Sequence, residues 1–142
     1  LIAVTIEYIE TPDPPSRVIE AFGISCTGET TNLEVATGIA TFRMPYAIII
    51  SELRASVSTA GSTQSIVVDV NVTNFDDSPD TFTSLMTAGN ELTIYTGDKT
   101  SVGSASPYIL ATNTIADNAE ITVDVTQADG AGLKVWILGY RV

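Results

Sequence analysis

The chain has 142 residues, with 17 acidic and 6 basic side chains, no histidine and one cysteine, for a formal net charge of −11. That balance argues against double-stranded nucleic acid or an acidic lipid surface as partner, since both call for cationic side chains. The missing histidine removes Ser/His/Asp and Cys/His catalysis and nearly every zinc site, and a lone Cys26 forms no intrachain disulfide.

A chain of this size buries about 70% of its unfolded surface in one domain, so neither disulfide nor metal is required to build a core. Charged residues make up only 16% of it and the mean hydropathy is +0.26. Such a chain buries much of itself or hides surface against partners.

Residues 1–9 (LIAVTIEYI) alternate and read as an edge strand. The run is too short to span a bilayer and contains Glu7, and it lacks the basic region and cleavage site of a secretory signal. Pro12, Pro14 and Pro15 then enforce an extended, unpaired path. Arg17 to Ile24 reads as a short strand, and Gly28 to Asn32 as a polar turn. Residues 1–32 are therefore expected to form an N-terminal arm or outer layer, distinct from a main domain over residues 33–142. The arm either covers its own sheet or reaches a neighbouring subunit, with Ile2, Val4 and Ile6 as candidate contacts.

Leu33 to Met44 reads as a strand region broken at Gly38, and Pro45 marks a boundary or bulge. The most regular stretch follows. Ala47, Ile49, Ser51, Leu53, Ala55 and Val57 fall on one face, and Ile48, Ile50, Glu52, Arg54 and Ser56 on the other, as an unbroken period of two requires. Ser65 to Val72 alternates next, with Ile66, Val68, Val70 and Val72 inward. It is expected to pair with the preceding strand as a hairpin. Short strands are expected at 81–86, 91–95 and 107–111, with a turn from Thr112 to Ala119. Glu120 to Thr126 points Ile121, Val123 and Val125 inward, and 133–141 closes the sheet after a turn on Asp129-Gly130.

About eight strands, no helical period and turn chemistry between them predict an all-β fold, an antiparallel two-sheet sandwich of jelly-roll-like form. The last strand is apolar on both faces. If Leu133, Val135 and Ile137 enter the core, then Trp136, Leu138 and Tyr140 need another cover. With Ile48, Ile50 and Arg54 they are the candidate interface residues. Glu52 and Arg54 read either as a surface ion pair or as a pair at a subunit contact.

Catalytic motifs are absent, and no enzyme activity and no cofactor are expected. Asp69, Glu120 and Asp124 read as outward strand positions, and nothing in their spacing brings them to one cleft for glycoside hydrolysis. Asp76-Asp77-Ser78-Pro79-Asp80 is an acidic loop that reads as solvated turn. It would be the first place to look for calcium, although it lacks the EF-hand spacing and glycine, and no metal site is assigned. Trp136, Tyr140, Tyr46, Tyr95 and Tyr108 are scattered over several strands and a loop, which favours packing over a sugar-stacking platform. Asn71-Val72-Thr73 matches a glycosylation sequon of high chance frequency.

Several blocks carry a family resemblance: Phe42-Arg43-Met44-Pro45-Tyr46-Ala47, Glu52-Leu53-Arg54-Ala55-Ser56-Val57, Leu92-Thr93-Ile94, Gly97-Asp98-Lys99-Thr100-Ser101, Ala116 to Asp124, Gly130 to Val135, and Gly139-Tyr140-Arg141. From Phe42 onward the chain resembles small structural proteins of tailed bacteriophages and prophages, and the first 41 residues fall outside the resemblance. The resemblance implies a virion component. In a domain of this size it fits a capsid decoration (cement) protein, a homotrimer on the outer surface of the capsid that binds the major capsid protein. It also fits a receptor- or glycan-binding module of a tail or head fibre, which would use the loops at 75–79 and 96–107. Neither nucleic acid nor membrane is an expected partner. Deleting residues 1–15 is expected to leave the sandwich folded and to abolish lattice or trimer binding.

Overall fold

The computed structural model describes residues 18–74 and 81–142. Within them the regular elements are nine strands: β1 (Glu20–Ser25), β2 (Ala36–Arg43), β3 (Ile48–Ser56), β4 (Ile66–Thr73), β5 (Thr83–Ser84), β6 (Leu92–Ile94), β7 (Thr114–Ile115), β8 (Glu120–Gln127) and β9 (Lys134–Arg141). Among the described residues no helix is long and apolar enough to cross a membrane.

The topology follows from four nested antiparallel pairs: β4 with β5, β3 with β7, β2 with β8, and β1 with β9. Together they make one long ribbon. The ribbon is wrapped so that β9 also meets β3 and β8 also meets β4. Two sheets result, in the orders β1-β9-β3-β7 and β2-β8-β4-β5, with β6 pairing β4 beside β5. This is an antiparallel two-sheet sandwich of jelly-roll form, as the strand spacing predicts.

Alternating side chains close the sandwich. Ile66, Val68 and Val70 of β4, Ile121, Val123 and Val125 of β8, and Val135 and Ile137 of β9 are all buried in one core, with Leu133 just before β9. Burial of this kind is worth about 1.5–3 kcal/mol per large aliphatic side chain, which is why the period-two pattern fixes the inward face of each strand.

β3 breaks its own period. Ile50 pairs with Gly139 and Glu52 with the adjacent Leu138, so Ser51 is an extra residue in the ladder. This is a β-bulge, which inserts one unpaired residue and shifts the phase of the side chains beyond it. The Ser51 hydroxyl donates to the Leu138 carbonyl at 3.1 Å. Ile48 and Ile50 therefore point the same way as Leu53, Ala55 and Val57, and all five are buried. Their assignment as interface residues is corrected: they are core.

Three further expectations change. β3 and β4 do not form a hairpin, because they belong to opposite sheets and the segment between them crosses the sandwich. Asp129 holds that crossing. Its Oδ2 accepts the backbone N–H groups of Ser62, Thr63 and Gln64, and its Oδ1 accepts that of Gly130. Residues 107–111 are not a strand but take part in a single bridge, Met86 to Leu110, while a two-residue strand lies at 114–115, inside the expected turn. Residues 20–25 are not an outer layer. They form the edge strand β1, paired along its length with β9. Leu33 begins no separate unit, so the division at residue 32 cuts through the sandwich. The arm residues 1–17, with Ile2, Val4 and Ile6, and the acidic segment 75–80 lie outside the described residues.

β7 covers only the first two residues of β3, and the loop 96–113 shields the rest of that edge. Ile50 N–H donates to the Asn113 carbonyl, Leu53 N–H to the Tyr108 hydroxyl at 2.9 Å, Ala55 N–H to the Ser101 hydroxyl, and Val57 N–H to the Lys99 carbonyl. An uncovered edge would offer these donors to another chain.

Candidate functional site

The outer face of the β1-β9-β3-β7 sheet gathers four of the predicted contact residues. With Val135 and Ile137 in the core, Trp136, Leu138 and Tyr140 must face outward. Directly opposed residues share a face. Arg54 lies opposite Trp136, Glu52 opposite Leu138, and Ile49 opposite Tyr140. On the other side of β9, Ala21 opposes Leu138 and Gly23 opposes Trp136.

The outcome is an apolar strip along β9 with small residues on one flank and an ion pair on the other. Trp136 is 37% exposed. Its indole lies against Gly23, and a Cβ there would run into the ring. Ala21, Arg54, Trp136 and Leu138 line a shallow depression of about 280 Å³. The Arg54 guanidinium grips Glu52 through two parallel bonds, Nε to Oε1 and Nη2 to Oε2, both 2.9 Å. That hydrogen bonding holds the Glu52 carboxyl below its usual range, against the smaller opposing effect of burial. The pair is partly exposed, so it orients the guanidinium beside the indole and adds little stability of its own.

Lys134, at one end of the strip, pairs with Glu29. Arg141 opposes the buried Ile48 and so falls on the other side of the sheet, where it pairs with Glu20 at 3.1 Å while lying 3.8 Å above the Tyr46 ring. Tyr46 in turn packs on Phe22 with ring centroids 5.7 Å apart.

Ile49 belongs to this face although strict alternation places it inward, and only the bulge at Ser51 puts it there. Ala21 and Gly23 carry no apolar signal of their own and enter the site through their register with β9.

The remaining chemical candidates fall elsewhere. Asp69 and Asp124 oppose each other directly across β4 and β8, and Glu120 opposes Thr73 on the same outer face of the second sheet. Burial raises the Asp69 carboxyl above its usual range, against a lowering hydrogen bond from Ser84. Glu120 pairs with Arg43 at 3.4 Å. Among the described residues no cluster of three or more His, Cys, Asp or Glu side chains is placed to hold a metal ion. Cys26 is half-buried, and burial pushes its thiol up to about 11, partly offset by a backbone hydrogen bond from Val135.

The class these features define is a jelly-roll domain with an apolar strip on the outer face of one sheet. No protein-family model matches the chain, and no curated protein matches it.

Proposed function

We propose that the protein is a structural component of a tailed-phage particle, a capsid decoration protein that associates as a trimer on the outer surface and binds the major capsid protein. The observation that carries this reading is the apolar strip of Trp136, Leu138, Tyr140 and Ile49 on a sheet face that the core does not use. The blocks that resemble small phage structural proteins support it, as does a jelly-roll scaffold whose free edge at β3 is shielded, so that pairing is steered away from that edge.

The mechanism is additive burial. A protein that binds the mature shell across neighbouring subunits, and not its separated parts, stabilises the shell by mass action. Aromatic and arginine side chains at the centre of such a contact supply most of its energy. Trp136 and Arg54, side by side across β9 and β3, are the pair that fits this role.

The test is proteomic and hydrodynamic. Purified particles of the encoding phage should contain the protein at a copy number matching the capsid lattice. The isolated protein should scatter light as a trimer, three times 15.0 kDa or about 45 kDa. Absence from particles would overturn the reading. A handful of copies per particle would replace it with a fibre module.

A further inference from the structure

We propose that the outer face of the other sheet, β2-β8-β4-β5, carries a saccharide-binding cup. Thr37, Gly38, Asn71, Phe82, Thr122 and Asp124 line an open cavity of about 410 Å³. That size lies within the roughly 300–1,000 Å³ of small-ligand clefts.

Register builds the floor. Asn71 of β4 and Thr122 of β8 oppose each other directly and are only 7% and 6% exposed. Asp124 stands two residues along β8 on the same face. Between Ala36 and Ala40, β2 leaves its ladder, and Gly38 takes a positive φ of 62°. That excursion brings the Gly38 N–H to Asp124 Oδ1 at 2.7 Å. From the other side, Asn71 Nδ2 donates to Asp124 Oδ2 at 2.9 Å. Each carboxylate oxygen is thus fixed by one donor and retains capacity to accept another. The carboxylate is a pre-oriented acceptor, which costs a ligand little ordering.

Phe82 supplies the rim. The residue is 49% exposed, a large apolar side chain beside an otherwise polar floor. An occupant must offer hydroxyl donors to Asp124, accept or donate at the Thr37 and Thr122 hydroxyls, and lay a C–H face on an aromatic ring. It must also carry no negative charge, because Asp69 faces Asp124 across the strands and the chain's net charge is −11. A neutral pyranose meets all four conditions. A guanidinium or ammonium group meets the carboxylate but leaves the hydroxyl pair unused. The ring that the fold sets beside oriented polar groups is Phe82, not Trp136 or any of the tyrosines.

The cup and the Trp136 strip lie on outer faces of different sheets, so this proposal does not rest on the virion reading and either can fail alone. Backbone amide spectra of the full chain would be followed while methyl glycosides of glucose, galactose, mannose and N-acetylglucosamine are titrated separately. Arginine methyl ester serves as the cationic comparison. At least one glycoside should shift the amides of Gly38, Asn71, Thr122 and Asp124 saturably. Phe82→Ala, at an exposed ring, should keep the remaining spectrum and weaken that binding about tenfold. Asp124→Asn, which preserves shape, should weaken it as well. The proposal is overturned if no glycoside moves those amides, if the shifts persist undiminished in both variants, or if only the arginine ester produces them.

Discussion

The Trp136 indole rests on the Cα of Gly23 across the β1–β9 pairing, and no side chain larger than hydrogen fits between them. Gly23→Ala should therefore swing the ring off the sheet. The indole is the flexible partner, so the cost falls at the low end for overpacking, about 1 kcal/mol. Trp136 is the chain's one tryptophan, and its emission reports the move directly. The variant should emit at longer wavelength with a small loss of stability in urea. An unchanged spectrum would show that the ring does not depend on this glycine.

Replacing Trp136 and Leu138 together by serine should separate folding from association. Both side chains face away from the core, so the variant should unfold cooperatively like the parent. Its mass by light scattering should drop to that of a monomer. A variant that retains the parent's assembled mass would place the subunit contact elsewhere.

Deleting Ser51 should cost little more than altering it. The deletion removes the extra residue of the bulge and leaves Ile50 opposite Gly139 and Glu52 opposite Leu138, so Ile48 and Ile50 keep their buried places. A cooperatively folded protein is expected. Ser51→Ala loses the exposed bond to the Leu138 carbonyl, worth about 0.5–1.5 kcal/mol. Loss of cooperative unfolding in the deletion variant alone would contradict the reading of Ser51 as the extra residue.

Tyr108→Phe should leave the Leu53 N–H without its acceptor on the covered edge of β3. A buried donor left unpaired costs about 1–3 kcal/mol. Hydrogen exchange should accelerate at Leu53 and through the loop 96–113. Unchanged protection at Leu53 would mean that water replaces the phenol freely.

Asp129 should make the crossing between β3 and β4 sensitive to acid. The N–H groups of Thr63, Gln64 and Gly130 hold its carboxyl well below the usual value of 3.8. A carboxyl depressed in the folded state contributes stability that is complete above its unfolded value and lost as pH falls through the folded one. The Ser62, Thr63 and Gln64 amides should thus stay protected at neutral pH and lose protection only below about pH 4. Asp129→Ala should expose them at every pH. Acid-insensitive exchange in the parent would remove Asp129 from this role.

Much of this architecture is legible in the chain because burial is local and periodic. The alternations in β4, β8 and β9 name their inward residues correctly, from Ile66 to Ile137, and the two-faced β9 marks Trp136, Leu138 and Tyr140 as needing a different environment. The short β5 and β7 have two residues each, too few for any period to register. The cup was invisible for another reason. Asn71 and Thr122 look like ordinary outward strand positions, and Gly38 like a simple break, until the pairing sets them beside Asp124.

The sequence by itself determined the strand class, the core faces of the regular strands and the surplus apolar face of β9, since each depends on the chemistry of neighbouring residues along one strand. Tertiary structure decided which strands share a sheet, which residues oppose one another and where β3 slips by one. A bulge leaves no mark on hydrophobic period until its partner strand is known. A single extra residue at Ser51 is what sends Ile48 and Ile50 into the core and Ile49 out to the strip.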